Sequence, residues 1–374
     1  MNPNPPRTAL LCILLLLTPG GRSWGSAETS AQNPFEASGS TPGYQEMAAL
    51  GIEALQNWYV WTTGLWRTTG WWNAANALTA LINYSALSGS TSYQSVVENT
   101  FARNAAGGFL NRYYDDEGWW ALAWIDAYDW TGETAYLNMA SSIFDDMTGG
   151  WDDVCGGGIW WSKDRTYKNA IANELFLSVA ARLANRVGDP DQQSQDLAWA
   201  EAEWQWFAQS GMLNAQNLIN DGLDGTCQNN HRTTWTYNQG VILGGLVELY
   251  QQDHDPALPE TARAIAFAAI ENLTDTNRVL HDPCEPGCGR DGPQFKGIFL
   301  RNLMALNDAF PAVRFVRFVD RNARSIWEND QGPDYQFGLV WSGPFDVGDA
   351  ARQSSALDAL VAAAEMPWPS ISRN

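Results

Sequence analysis

Apolar residues recur at helical spacing from about residue 42 onward, and no segment shows the apolar–polar alternation of a half-buried strand. Pro and Gly residues punctuate the pattern at the ends of the periodic segments. The periodicity therefore predicts an all-α protein with twelve helices, at about 42–60, 72–88, 91–104, 116–131, 133–147, 169–187, 191–210, 233–252, 259–273, 296–310, 311–328 and 350–365.

The predicted helices are joined by connections that alternate between short and long. Short ones such as 88–90, 131–132 and 188–190 join helices into antiparallel hairpins. The long connections cover about 61–71, 105–115, 148–168, 211–232, 275–295 and 329–349. Six hairpins with this alternation predict two rings of helices in one domain, an (α/α)6 barrel over residues 42–374. The long loops then share one face, and we expect the functional site there, with an inner helix after each long loop.

The first 41 residues do not follow the helical pattern. Residues 1–25 contain an apolar run at 9–17 followed by small residues, which is typical of a secretory signal peptide and too short to span a membrane. Residues 26–41 are polar with Gly, Ser and Pro and read as a flexible linker. The last residues lack the hydrophobic tail of a lipid-anchor signal. We therefore expect a secreted, extracellular protein without a membrane span, and a monomer.

Charge and aromatic content narrow the class of partner. The 374-residue chain has a formal net charge of −20, which disfavours nucleic acids and anionic membranes as partners. It also contains 20 tryptophans, many of them beside Gly, Asn or Asp in predicted loops. Stacking on sugar rings explains this excess better than core packing alone. A neutral carbohydrate polymer is the expected partner, and no cofactor is expected.

Four cysteines remain once the leader, which contains Cys12, is removed. An even number in a secreted chain favours two disulfides, and we expect Cys155–Cys227 and Cys284–Cys288. An alternative is a zinc site built from His281, Cys284 and Cys288. Glycosylation sequons begin at Asn83 and Asn272.

The chemistry is expected at the segment Tyr113-Tyr114-Asp115-Asp116-Glu117-Gly118-Trp119-Trp120. It places two neighbouring carboxylates among four aromatic rings, at the start of a predicted helix. Cleavage of a glycosidic bond uses two carboxyl groups, for proton transfer and nucleophilic attack, and flat rings suit sugar stacking. The alternative is an ordinary acidic first turn that favours the helix dipole. The two charges should also push their titrations apart.

Further substrate contacts are expected where long loops meet inner helices, because aromatic and amide side chains recur there. The amides can donate to and accept from sugar hydroxyls, although each is equally consistent with helix capping. Trp119 is alternatively a core residue, and Lys296 alternatively balances an acidic cavity. Trp161 is a further stacking candidate. The predicted substrate-binding residues are Trp72, Asn73, Tyr114, Trp119, Asp152, Asp153, Trp160, Asn169, Trp235, Tyr237, Asn238, Gln239 and Lys296.

The stretch from Tyr114 to Trp124 resembles the signature of glycoside hydrolase family 76. Supporting segments follow in order at 156–161, 168–173, 236–240 and 295–298. The resemblance implies an (α/α)6 barrel that hydrolyses α-1,6-linked mannan internally, with retention of configuration. It implies Asp115 as the nucleophile and Asp116 as the acid/base. Two alternatives remain open: a glycan transglycosidase of the fungal-wall type, and a mannan-binding protein without turnover.

Overall fold

The structure, a computed structural model, describes residues 42–366. The predicted signal peptide, the predicted linker and residues 367–374 lie outside the described residues. Within 42–366 there are twelve α-helices, one at each predicted position. In chain order they are α1 Tyr44–Gln56, α2 Trp71–Ser88, α3 Gln94–Asn104, α4 Tyr114–Thr131, α5 Thr134–Thr148, α6 Ala170–Ala184, α7 Pro190–Gln209, α8 Thr236–Asp253, α9 Ala257–Asn272, α10 Phe295–Ala309, α11 Val313–Asn329 and α12 Ala350–Glu365.

One short hairpin corrects the predicted helix at 42–60. Helix α1 ends at Gln56, and the chain then forms the antiparallel strands β1 Tyr59–Val60 and β2 Leu65–Trp66. The turn between them includes Gly64, whose φ of +70° suits a residue without a Cβ atom. Two-residue strands are too short to leave an alternating pattern, so the sequence did not reveal them.

The even-numbered helices form a closed inner ring. Each packs on the next, from α2 through α4, α6, α8, α10 and α12, and α12 packs back on α2. Odd-numbered helices lie outside; α5, α7 and α9, for example, pack on α4, α6 and α8. The expected (α/α)6 barrel is thereby confirmed, and the helix that follows each long loop is an inner one. None of the helices among the described residues is both long and apolar enough to cross a membrane.

Glycines set the spacing inside the ring and the sharpness of its turns. A Cβ atom on Gly240 would lie 2.6 Å from the backbone of Phe299, and one on Gly297 would lie 2.5 Å from the Ser355 carbonyl oxygen. Neighbouring inner helices can therefore approach backbone to backbone at these points. Outside the ring, Gly132 ends α4 in the left-handed region at φ +74°, which allows α5 to begin two residues later.

Both expected disulfides are present. Cys155 is bonded to Cys227, which joins two long loops, and Cys284 is bonded to Cys288 within a third. The zinc alternative is wrong for this state, because the two sulfurs it needs are bonded to each other. The Nδ1 atom of His281 instead lies 3.1 Å from the Glu285 carboxylate.

Candidate active site

A cavity of about 450 Å³ opens on the long-loop face, where the inner helices begin, and five of the six contribute to its lining. The N-terminal ends of α2, α4, α6, α8 and α10 each contribute a side chain, and loops supply the rest. Converging helix N-termini direct positive dipole ends at the cavity, which favours bound negative charge. The lining consists of Trp72, Tyr113, Asp115, Asp116, Trp119, Trp161, Tyr167, Asn169, Asp221, Tyr237, Asp291 and Phe295.

The neighbouring aspartates occupy the first turn of α4, which begins two residues earlier than predicted. The start is fixed because Tyr113 is extended and the Tyr114 amide donates to the Trp161 carbonyl at 2.9 Å. The Tyr113 amide in turn donates to the side-chain oxygen of Asn111 at 2.7 Å. Asp115 and Asp116 therefore lie beside unpaired backbone N–H groups at a helix N-terminus, which stabilise a carboxylate.

Each aspartate is held by a different donor. The indole N–H of Trp161 donates to Oδ2 of Asp115 at 2.9 Å. The side-chain amide of Asn111 donates to Oδ2 of Asp116 at 2.5 Å. Oδ1 of Asp115 is buried and accepts no hydrogen bond from the described residues. The two carboxyl groups are thus positioned independently, and one oxygen of Asp115 is left for another partner.

Both carboxyl groups bind protons more tightly than ordinary aspartates. Burial, and after it the charge of Asp116, raises the pKa of Asp115 well above its usual range, against the Trp161 bond and the backbone amides. Burial raises the pKa of Asp116 to about 6, against the Asn111 bond and with a further contribution from the charge of Asp291. The pair therefore retains a proton in mildly acidic solution, as general acid catalysis requires.

An ion pair between buried Glu117 and exposed Lys163 connects the segments that carry Asn111 and Trp161. The Glu117 side chain is fully buried. Its Oε1 accepts the backbone N–H of Asn111 at 3.1 Å and the ammonium of Lys163 at 2.8 Å. The backbone N–H of Lys163 donates to the carbonyl of Arg112, one residue after Asn111. Burial raises the pKa of Glu117 to about 7, although Lys163 opposes the shift. The segments that carry Asn111 and Trp161 are thus joined beneath the acid pair.

Aromatic rings line the cavity together with the aspartates. Tyr113 lies 5.0 Å from Trp161 between ring centres, and Trp72 lies stacked 5.6 Å from Trp119. The guanidinium of Arg301, which pairs with Asp358, lies over the ring of Trp119. These rings give the cavity flat apolar surfaces next to carboxylates, the combination expected for a sugar site.

Two more carboxylates in the cavity were not predicted from the sequence. Oδ1 of Asp291 accepts the indole N–H of Trp72 at 3.0 Å. Asp221 accepts the Tyr167 hydroxyl at 2.5 Å and the indole N–H of Trp235 at 3.1 Å. Both lie in long loops without periodicity, so no local signal marked them. Phe295 begins the family-signature segment 295–298, and Tyr167 directly precedes the segment 168–173.

Seven predicted site residues line the cavity together: Trp72, Asp115, Asp116, Trp119, Trp161, Asn169 and Tyr237. Asn169 also caps α6 by accepting the Ala172 amide. Trp235 lies just behind the lining and orients Asp221. Tyr114 is buried under the acid pair, with its ring 5.5 Å from the Lys163 ammonium.

Three predicted amides face the protein interior instead of the cavity. Asn73 accepts the Gly70 amide as a helix cap and donates to Gln294. Gln239 accepts the Ile219 amide and donates to the Ile219 carbonyl. Asn238 is fully buried and does not line the cavity. The capping alternative is therefore correct for Asn73. Only one side of each first turn faces the barrel axis, so neighbouring residues cannot all reach it.

Four predicted polar or aromatic contacts also lie outside the lining. Lys296 is buried, pairs with Glu285 at 2.7 Å and donates to the Leu339 carbonyl. Asp152 accepts the Lys168 ammonium and the Trp160 indole N–H, so Asp152 and Trp160 satisfy each other within one loop. Asp153 is exposed next to them. Among the described residues, no three His, Cys, Asp or Glu side chains are placed to hold a metal ion.

Comparisons with known proteins agree on one family. The family model for glycosyl hydrolase family 76 matches residues 52–369. Among curated proteins, the chain is 30% identical over 210 residues to mannan endo-1,6-alpha-mannosidase DCW1 of Candida albicans, covering 50% of this chain and 46% of that protein. It is 25% identical over 331 residues to mannan endo-1,6-alpha-mannosidase DFG5 of the same organism, covering 78% of this chain and 72% of the relative. The chain thus spans about half the length of the first of these relatives.

Solved structures give the same result. The chain is 26% identical to the alpha-1,6-mannanase GH76A of Salegentibacter sp. HEL1_6. That structure is of an inactive form, with two consecutive aspartates replaced by asparagine, in complex with alpha-1,6-mannotriose. It has a TM-score of 0.76 and covers 86% of this chain and 99% of that one. Dfg5 of Chaetomium thermophilum, in complex with glucosamine, shares the fold at 19% identity with a TM-score of 0.76, covering 86% of this chain and 90% of that one.

Proposed function

The chain belongs to glycosyl hydrolase family 76, and from this membership and the Asp115–Asp116 pair we propose an endo-acting hydrolase of α-1,6-mannosidic linkages that retains anomeric configuration. The observation that carries the proposal is the placement of two adjacent carboxyl groups, with raised pKa values, in an aromatic-lined cavity. The mannanase from Salegentibacter supports it, because its inactivated form, with two consecutive aspartates replaced, is the one in complex with α-1,6-mannotriose.

In the proposed first step, the Asp115 carboxylate attacks the anomeric carbon and forms a glycosyl ester. Asp116 simultaneously donates its proton to the departing glycosidic oxygen, so the leaving chain is released as an alcohol. The pair shares a proton, and the reactive form is the one that carries it on Asp116, whose pKa of about 6 allows it to be held in mildly acidic solution. Asp115 must then be ionised although burial raises its pKa well above the usual range; the Trp161 bond and the backbone amides favour this ionised form, and the Trp161 bond orients it for attack.

In the second step, Asp116 acts as a base. It removes a proton from water, whose oxygen attacks the anomeric carbon and displaces Asp115 as a free carboxylate. Two inversions at one carbon restore the original configuration. The rings of Trp72, Trp119 and Trp161 supply stacking surfaces for mannose units on both sides of the cleaved bond.

The aromatic rings that line the cavity with the acid pair also favour a second candidate, a transglycosidase. A sugar acceptor stacked there would replace water in the second step. Incubation with a manno-oligosaccharide acceptor decides between the two: a hydrolase yields shorter chains only, and a transglycosidase also yields products longer than the starting chain.

Incubation with unbranched α-1,6-mannan tests the main proposal. We expect oligosaccharides of several lengths at early times, and the α-anomer as the first reducing end seen by NMR. Release of mannose alone would contradict internal cleavage, and initial appearance of the β-anomer would contradict retention. Absence of products, with binding retained, would favour the mannan-binding alternative.

We also propose that the protein is secreted and monomeric. Secretion is supported by the apolar leader in the sequence and by two disulfides, which persist in oxidising compartments. Asn272, which begins one of the two sequons, is exposed at the end of α9. Sedimentation of the protein recovered from culture medium, before and after deglycosylation, tests localisation, oligomeric state and glycosylation together.

A further inference from the structure

Helix α11 carries a row of arginines that the catalytic site does not use. Arg314, Arg317, Arg321 and Arg324 are all exposed, and their spacing of three, four and three residues places them on one side of the helix. We call these four residues the arginine stripe. At 1.5 Å of rise per residue the stripe is about 15 Å long.

The stripe is unusual for this chain. The sequence has 22 basic residues against 42 acidic ones, yet four of the basic residues fall within eleven positions. The opposite face of α11 is buried in the barrel through Phe315, Phe318 and Ile326, so the exposed face is not needed for packing. Solubility is already provided by the net charge of −20. A row of exposed positive charges on a strongly negative protein therefore indicates a binding surface for an anionic ligand.

Only the ends of the stripe are neutralised. Arg314 pairs with Glu271 at 2.7 Å, and Arg324 pairs with Asp320 at 2.8 Å. Within the described residues, no carboxylate lies within ion-pair distance of Arg317 or Arg321, although Asp320 lies between them in sequence. Both middle guanidinium groups are thus available to an external anion.

A second basic group extends the surface onto the neighbouring outer helix. The guanidinium of Arg263 lies 5.8 Å from the ring centre of Phe267, and that of Arg314 lies 5.1 Å from the same ring. Phe267 itself packs on Phe315 of α11 at 5.0 Å. The shared ring holds α9 and α11 side by side and fixes the first guanidinium of the stripe.

We propose that the arginine stripe binds a linear acidic polysaccharide, a chain with one carboxylate per sugar. Arginine, the residue at all four positions, presents a planar fork that pairs with carboxylates bidentately. A row of cations along a helix matches repeated charges along a linear chain. The surface lies on the outer wall of the barrel, so this binding is independent of the proposed hydrolysis.

Two other polyanions fit the surface less well. A membrane-bound helix inserts apolar residues, whereas the apolar face of α11 is buried in the barrel. Duplex nucleic acid carries about one charge per 1.7 Å, more than four cations spread over about 15 Å can neutralise. At about 0.15 M salt the Debye length is near 8 Å, so a sparsely charged chain on the stripe is shielded from the rest of the protein.

The test is binding of the full-length protein to immobilised polygalacturonate at about 0.15 M salt. We expect Arg317→Gln/Arg321→Gln to weaken binding at least about tenfold, as the loss of two charge-assisted contacts implies. Arg317→Lys/Arg321→Lys should fall between this variant and the parent, because charge remains and the fork is lost. Arg103→Gln/Arg278→Gln, which removes two exposed arginines elsewhere, is the matched control and should bind as the parent does.

Several results would overturn the proposal. The Arg317→Gln/Arg321→Gln variant could bind polygalacturonate as tightly as the parent does, or the control variant could lose as much binding as this variant. The parent could also bind uncharged dextran as tightly as it binds polygalacturonate. Tighter binding of duplex DNA or phosphatidylserine vesicles would assign the stripe to another class of partner. An Asp115→Asn/Asp116→Asn variant should bind polygalacturonate unchanged. This result separates the stripe from the catalytic cavity, whether or not the proposed hydrolysis is correct.

Discussion

The indole N–H of Trp161 donates a 2.9 Å hydrogen bond to Asp115, although 46 positions separate the two residues. The bond joins the loop before α6 to the first turn of α4. Asp116, the next residue, is held instead by Asn111 from its own loop. Because the donors are separate, the hydrogen bond to either acid can be removed while the bond to the other is kept, and the first two predictions use this property.

Replacing Trp161 with Phe keeps a ring and removes the hydrogen bond to Asp115. Because that bond stabilises the carboxylate, the pKa of Asp115 should rise further. The nucleophile must be ionised, so the acid limb of the pH profile of kcat/KM should move to higher pH. A hydrogen bond to a charged group contributes about 1.5–3 kcal/mol, so kcat should fall about 10- to 100-fold.

Trp160→Phe is the matched control for this change. Its indole N–H bonds to Asp152, outside the cavity, so the acid limb should remain in place. An unchanged acid limb in Trp161→Phe, or an equal shift in both variants, would contradict the role given to the Trp161 bond.

Replacing Asn111 with Ala should change the alkaline limb of the pH profile. It also removes the acceptor of the Tyr113 amide, so the position of the limb, rather than the loss of kcat alone, is the diagnostic result. The Asn111 bond lowers the pKa of Asp116, which burial holds at about 6, so its loss raises that pKa. If Asp116 is the acid that must carry a proton, the alkaline limb moves to higher pH and kcat falls. The measurement is the same pH profile, compared with that of Trp161→Phe. A larger shift of the acid limb than of the alkaline limb would exchange the roles of the two aspartates.

Lys296 is expected to stabilise the fold rather than to bind substrate. Its side chain is 1% exposed and neutralises Glu285, whose side chain is 2% exposed, next to the Cys284–Cys288 disulfide. Lys296→Met leaves a buried charge unpaired, which should lower the free energy of unfolding by about 3–5 kcal/mol in urea titrations. The double variant Lys296→Met/Glu285→Gln should recover part of this loss. A change in KM without a loss of stability would instead support the predicted contact between Lys296 and the substrate.

Asp330 should make the protein less stable as the pH rises. Burial raises the pKa of this carboxyl from 3.8 to about 8, against the opposing charge of Lys296. Between these values the folded state holds a proton that the unfolded chain releases. The contribution is therefore full below about pH 4 and is lost toward pH 8, at up to about 1.4 kcal/mol per pH unit.

Asp330→Asn tests this pH dependence directly, because Asn does not titrate. We expect the stability of the variant minus that of the parent to increase from pH 5 to pH 8, measured by urea unfolding at each pH. A difference that is constant with pH, or that becomes smaller, would show that Asp330 is not protonated in the folded protein.

The helices could be predicted from the sequence because every one buries an apolar side in the barrel. The hairpin at Tyr59–Trp66 could not, since two-residue strands have no period. Within the site, the acid pair and the aromatic residues Trp72 and Tyr237 were identified because they begin inner helices. Inner helices also begin with Asn238, Gln239 and Lys296, but these side chains are buried in the protein interior and do not reach the cavity. Sequence spacing alone does not distinguish these two orientations.

Asp221 and Asp291 show the other limit of prediction from sequence. Each enters the cavity from a long loop whose path is set by tertiary contacts, through Tyr167 and Trp235 for Asp221 and through Trp72 for Asp291. No motif or period marks such a residue. Only the hydrogen-bonding partners, which become neighbours on folding, show where these carboxylates lie.

In the proposed mechanism, Asp115 forms a covalent bond to mannose while Asp116 transfers the proton. Asp116→Asn, given an activated aryl α-1,6-mannobioside that needs no acid for departure, should accumulate a glycosyl-enzyme detectable by intact mass. Peptide mapping of the trapped protein then locates the sugar. We expect the added sugar mass on Asp115. Label on Asp221 or Asp291, or turnover with inversion and no labelled protein, would contradict it.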